Sequence, residues 1–137
     1  MSAIKGKDTK PEVYLRSLLF REGYRFRKNC SSIPGHPDIW MRKYNVALFV
    51  NGCFWHRHTN CKYAYTPKSN VEFWQKKFNN NIARDLTVRA KLKEKGIRCI
   101  VIWECSVRKM RANPSVEQKM INELISAIRN EELFIEI

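Results

Sequence analysis

At 137 residues, 44% hydrophobic and 28% charged, the chain has the composition of one globular domain, residues 1–137, large enough for a full core without disulfide staples. No apolar run approaches the roughly 18 residues of a membrane span, and the opening MSAIKGKDTK lacks a signal-peptide apolar region, so the expectation is a cytoplasmic protein with no membrane role. Residues 1–114 carry 24 Lys/Arg against 8 Asp/Glu within a net charge of +13, a field that favours a polyanion, most commonly nucleic acid.

In chain order, Thr9-Lys10-Pro11-Glu12 predicts a helix start, with Thr9 or Asp8 as cap and Pro11 in the first turn. Val13, Tyr14, Leu15, Leu18 and Leu19 form its apolar face, and Gly23 stops it. Tyr24 to Lys28 alternates aromatic and basic residues and reads as a strand with one wet face. CSSIPGHP, residues 30–37, is a loop with Pro34-Gly35 as its turn signal. Asp38–Met41 and Val46–Val50 read as a hairpin about Lys43-Tyr44-Asn45, the second strand apolar enough to be central. A polar stretch follows to Asn70. Ser69 and Glu72 are spaced as a capping box opening a long helix that ends at Gly96. Ile97–Trp103 is a second buried strand, Ser115 with Gln118 a second capping box, and Val116 to Ile128 keeps helical period. Leu133–Ile137 closes as a short edge strand. The predicted fold class is α/β, with helices on a mixed sheet.

The chemistry concentrates at residues 51–61, NGCFWHRHTNC. Cys53, His58 and Cys61 have the spacing Cys-x4-His-x2-Cys, and a tetrahedral structural Zn2+ needs a fourth ligand, which Cys105 at the end of the buried strand can supply. Spacing alone leaves both His56 and His58 open as the imidazole ligand. Five cysteines, an odd number, fit metal binding in a reducing compartment better than a disulfide framework. Cys99 reads as a core residue and Cys30 as an inert loop thiol. Phe54 and Trp55 sit in a loop too polar to be wholly buried, which makes them candidate wedges into DNA. Trp74 is the helix aromatic assigned to the surface, whereas Phe73 and Phe78 are assigned to the core, and Arg84 with Asp85 reads as an intra-protein pair.

Asp38 follows a Pro-Gly-x-Pro loop at a strand start. A carboxylate there can hold Mg2+, which activates water against a phosphodiester, but taken alone the residue reads as a solvated turn aspartate. Glu12 has the ordinary role of an acid complementing a helix dipole. Glu104 is a loop-facing acid or an ion-pair partner, and His36 is exposed.

Together KDTKPE at 7–12, PGHPDIW at 34–40, FVNGCFWHRHTNC at 49–61, EFWQKK at 72–77, NNIARD at 80–85 and VIWEC at 101–105 resemble the very-short-patch-repair (Vsr) mismatch endonucleases over nearly the whole chain. The resemblance implies a restriction-endonuclease-like fold and a Mg2+-dependent nick 5′ to the thymine of a T:G mismatch in double-stranded DNA. It also implies a functional link to a DNA cytosine-5 methyltransferase, and a monomer. By the resemblance, Asp38 and the Val50 carbonyl hold Mg2+, Glu12 supports that site and His56 is the general base. Cys53, His58, Cys61 and Cys105 hold structural Zn2+, and Phe54, Trp55 and Trp74 intercalate. Three departures stand out: Asn51 replaces a histidine or aspartate beside the catalytic metal, Cys61 lies one residue further from His58 than in the shortest family pattern, and the chain begins almost at KDTKPE, where relatives carry a basic arm. An amide at Asn51 hydrogen-bonds but cannot share in proton transfer, so Asn51 is carried as a modified catalytic position.

Overall fold

Pro11 at the second helical position and Thr9 at the N-cap open helix α1, Lys10–Arg21, in the computed structural model of the protein, which describes residues 8–137. The Thr9 amide, which helical geometry leaves without a carbonyl partner, donates to Glu12 Oε2 at 3.0 Å. Leu15, Leu18 and Leu19 are buried at helical spacing, but Val13 faces solvent at 47% exposure, so the predicted apolar face is narrower than its five residues. Lys7, the first residue of the KDTKPE motif, and the segment before it lie outside the described residues.

The predicted strand at 24–28 shrinks to β1, Arg27–Lys28. Tyr24 instead drops into the core, and its hydroxyl accepts from Arg129 at 3.1 Å. The hairpin forms as expected: β2 (Ile39–Met41) pairs antiparallel with β3 (Val46–Asn51) around Arg42–Tyr44 and a left-handed Asn45. Asparagine tolerates that conformation better than most residues. The long helix α2 spans Val71–Glu94 and ends before Gly96, whose φ of +70° reverses the chain. Its N-cap is Asn70, itself left-handed, and not Ser69, so the predicted Ser69–Glu72 capping box does not form.

Strand β4, Arg98–Trp103, is buried throughout and runs parallel to β3 from Val46↔Arg98 to Asn51↔Trp103. A helix the periodicity did not predict follows at once: α3, Glu104–Ala112. Helix α4, Pro114–Arg129, is capped by Asn113, whose side chain accepts from the Ser115 amide at 2.9 Å; this replaces the predicted Ser115–Gln118 box. Strand β5, Phe134–Glu136, lies parallel to β4 at the sheet edge. The sheet order is β1-β2-β3-β4-β5, antiparallel in its first half and parallel in its second.

Arg98 joins the parallel half to α4. Although buried, it donates to the carbonyls of Ala127, Ile128 (2.7 Å) and Glu132 (3.0 Å), satisfying acceptors that the helix end leaves open. One face of the sheet carries the main core, where Leu15, Leu19, Ile39, Leu48, Ile102, Met110 and Leu124 from α1, the strands, α3 and α4 interlock. The other face carries a smaller cluster around Ala47, Leu92, Cys99, Val101 and Trp103. Gly35 places the loop before β2 under this second face. Its φ is +81°, and a Cβ there would come within 2.5 Å of Val88 Cγ1 and 3.1 Å of the Phe49 ring, a position only glycine fits.

Candidate functional site

Four groups of side chains gather around the C-terminal end of β3. The first is a carboxylate pair. Asp38, immediately before β2, accepts from the Val50 amide at 2.7 Å across the strand end. Glu12, the third residue of α1 and 4% exposed, is the neighbouring carboxylate. Loss of solvent pushes the Asp38 carboxyl up to about 7, the Glu12 charge adds to the rise, and the Val50 N–H and the Arg16 guanidinium oppose it. Asp38 is therefore not the solvated turn residue that its position alone suggested. Buried Arg16, four residues beyond Glu12 on α1, is anchored by Asp8 at 2.7 Å, and Asp8 is also held by Asn29 at 3.0 Å. Two neighbouring carboxylates are a set of hard oxygen donors, to which a divalent cation such as Mg2+ is suited.

The second group is the Cys/His set. The ligand atoms of Cys53, His58, Cys61 and Cys105 all lie within 4.8 Å of one another. Cys53 is buried, and burial pushes its thiol up to about 12, although the Cys105 amide donates to its Sγ at 3.4 Å. The His58 ring stacks on Trp103 at 4.2 Å and 8°, and its Nδ1 lies 3.4 Å from Cys105 Sγ. Three sulfurs and one imidazole nitrogen at this separation fit a tetrahedral ion, whose Zn–S bonds of about 2.3 Å put the sulfurs roughly 3.8 Å apart. Of the two histidines that spacing left open, His58 stands in the cluster.

His56 turns the other way. Its Nδ1 lies 2.7 Å from Asp85 Oδ2 on α2. Asp85 thus pairs with His56 and not with Arg84, a partnership between residues 29 apart that no local pattern signals. Asn51, His56 and Asp85 line one cleft of about 600 Å³ beneath α2, floored by Phe49, Val101 and Trp103. Asp38 and Glu12 lie outside this cleft and connect to it through β3, since the Val50 amide that Asp38 holds precedes Asn51.

The fourth group is aromatic. Phe54 meets Trp55 at 5.0 Å and Trp74 at 5.6 Å, and Trp55 meets Trp74 at 5.8 Å. All three are partly buried, and Phe54 and Trp74 stand on Phe78, which is buried as predicted. Phe73 is not the core residue expected: it is 59% exposed, edge-on to Trp74 at 5.3 Å. Val71, Glu72 and Phe73 are all exposed, so the first turn of α2 offers position 73 no core to enter.

A carboxylate pair beside a histidine–aspartate couple, on a strongly basic surface with clustered aromatics, is the equipment of a DNA endonuclease. The comparisons narrow the class. The family model for the DNA mismatch endonuclease Vsr matches residues 1–62. The chain is 38% identical over 130 residues to the type II nicking enzyme V.NmeAIP of Neisseria meningitidis, covering 95% of this chain and 89% of the relative. It is 41% identical over 112 residues to the type II nicking enzyme V.XorIIP of Xanthomonas oryzae, 82% of each chain. It is 40% identical over 108 residues to the DNA mismatch endonuclease Vsr of Escherichia coli, 79% of this chain and 69% of the relative. The protein belongs to the Vsr DNA mismatch endonuclease family. Among the described residues no helix is long and apolar enough to cross a membrane.

Proposed function

We propose that the protein nicks double-stranded DNA 5′ to the thymine of a T:G mismatch, in a Mg2+-dependent hydrolysis carried by a restriction-endonuclease-like fold. The observation that carries this reading is the Asp38–Glu12 pair, two carboxylates drawn from distant parts of the chain to the end of the central strand. Asp38 and the Val50 carbonyl hold the Mg2+, and Glu12 supports it. When bound, that ion neutralises phosphate charge and acidifies water. His56 takes the proton of the attacking water, and Asp85 fixes the imidazole tautomer and stabilises its protonated form. Asn51 donates or accepts a hydrogen bond in the same cleft without moving a proton.

Cys53, His58, Cys61 and Cys105 hold Zn2+ with no position left open, so that ion stiffens the loop. Phe54, Trp55 and Trp74 enter the base stack, at an unstacking cost of about a few kcal/mol that is smaller at a mismatch than at a sound pair. The enzyme acts as a single-domain monomer in the cytoplasm, downstream of a cytosine-5 methyltransferase whose product deaminates to thymine. The names of the two nicking-enzyme relatives favour one second reading, a sequence-directed nickase without mismatch preference.

Labelled duplexes with a central T:G, T:A or C:G pair, incubated with and without Mg2+ beside Asp38→Ala, decide between them. A Mg2+-dependent nick confined to the T:G strand and absent in the variant is expected. Equal nicking of all three duplexes sinks the mismatch reading and leaves the nickase.

A further inference from the structure

We propose that Tyr65 is a fourth base-stacking residue of the DNA surface, held in place by Arg57. The inference rests on the wedge proposed above. Tyr65 is 63% exposed, the most exposed of the large hydrophobic side chains among the described residues, yet its ring packs 5.1 Å from Phe54, the centre of the aromatic cluster. It extends that cluster outward without burying itself. An exposed ring on a long loop is ordinarily free to move, because little burial holds it. Here the backbone beneath it is fixed. Arg57 donates to the carbonyls of Tyr65 (3.1 Å), Ala64 (2.9 Å) and Phe54 (3.1 Å) and to Thr66 Oγ1 at 3.3 Å. Its guanidinium lies 3.8 Å over the Phe78 ring. One side chain therefore ties the base of the wedge, the 64–66 segment and the core of α2 together, using the planar fork that lysine lacks. An aromatic presented rigidly beside other aromatics, on a surface of net positive charge, suits a partner with flat π-faces and an anionic backbone. That partner is duplex DNA opened at a base step.

The test is duplex binding without added Mg2+, read by fluorescence anisotropy on T:G and T:A duplexes and by 2-aminopurine placed beside the mismatch. Tyr65→Phe keeps the π-face and is expected to bind within about twofold of the wild type. Tyr65→Ala and Tyr65→Lys are expected to weaken T:G binding by about 5- to 100-fold, the range of a lost base–aromatic stack, and to change the 2-aminopurine signal, with zinc content and circular dichroism unchanged. Arg57→Gln is expected to weaken binding similarly, and the Arg57→Gln/Tyr65→Ala double variant no more than either single one, because both remove the same contact. Binding by Tyr65→Ala and Tyr65→Lys within twofold of the wild type overturns the proposal. If Trp74→Ala still abolishes mismatch preference in that case, the wedge survives and only Tyr65 falls; if Trp74→Ala also changes nothing, both fall.

Discussion

On one face of the sheet, α1, α3 and α4 press Leu15, Leu19, Met110, Ile121 and Leu124 onto the strands until water is almost wholly excluded. On the other, α2 buries only Phe78 and Leu92 of its 24 residues, and the remaining cover comes from the Cys/His loop and the aromatics that stand on it. The first face is held by close packing. The second has an open cleft where packing would be, and its local order depends on a polar cluster. The proposed DNA surface is not sealed by aliphatic side chains, and its rigidity comes from point attachments: four metal-type ligands, one histidine–aspartate bond and one forked arginine.

The largest effect should come from removing an attachment of the second face. Chelation of zinc, or Cys105→Ala, is expected to lower Tm by about 10 °C or more, since structural zinc sites contribute folding free energy directly. It should also abolish mismatch preference. Metal analysis and calorimetry of the two forms check this. A protein that binds no zinc and loses no stability on chelation would show the second face to be self-supporting. Next comes Leu124→Ala in the sealed face, where Leu124 has no exposed surface. A cost of about 2–5 kcal/mol in urea unfolding is expected, with mismatch preference intact.

The carboxylate pair sits where the two faces meet and yields a pH test. Because the Asp38 carboxyl is raised to about 7 by loss of solvent and by Glu12, its protonated form is the one the fold favours. The stability that this provides is fully present below its ordinary value near 4 and is lost as pH rises toward 7. In protein free of Mg2+ but retaining zinc, Asp38→Asn is expected to flatten that decline and to be more stable than the wild type at pH 8 by on the order of 2–4 kcal/mol. Added Mg2+ should restore the wild type alone. Equal pH profiles from urea unfolding would remove Asp38 from the linkage. A smaller effect is expected for Asp85→Asn, which leaves His56 a partner but no charge: nicking about 10- to 100-fold slower, with DNA binding unchanged.

Much of the sealed face was legible in the sequence, because burial against a sheet imposes a period. The apolar run at 97–103, the hairpin turn at Asn45 and the helical spacing from Val116 to Ile128 all emerge as predicted. Helix α3 escaped notice because its nine residues bury only Val107 and Met110 and begin directly from Trp103, with no side-chain cap to mark the start. Neither predicted capping box forms because an asparagine takes the N-cap in place of the serine: Asn70, one residue after Ser69, and Asn113, two residues before Ser115. On the open face the cysteine spacing revealed the metal-type ligands and the aromatics near them. The Asp85–His56 bond and the exposure of Phe73 depend on how α2 stands over the sheet, and the Arg57 fork on how its loop folds back on itself, and none leaves a trace in local pattern.

The smallest effect tests the comparison most sharply. Leu86 on α2 is 58% exposed and borders the cleft that holds His56 and Asp85. If the second face is open in solution, Leu86→Ala removes little buried surface and should change unfolding free energy by no more than about 0.5 kcal/mol. The same substitution at Leu124 costs several times that. A loss at Leu86 above about 1.5 kcal/mol would mean that α2 closes onto the sheet in the free protein, since only burial makes a leucine so costly to truncate. DNA would then have to lift the helix before reaching His56. That outcome would turn the difference between the faces from a fixed property of the fold into a step in binding, visible as DNA association that slows when α2 is packed more tightly.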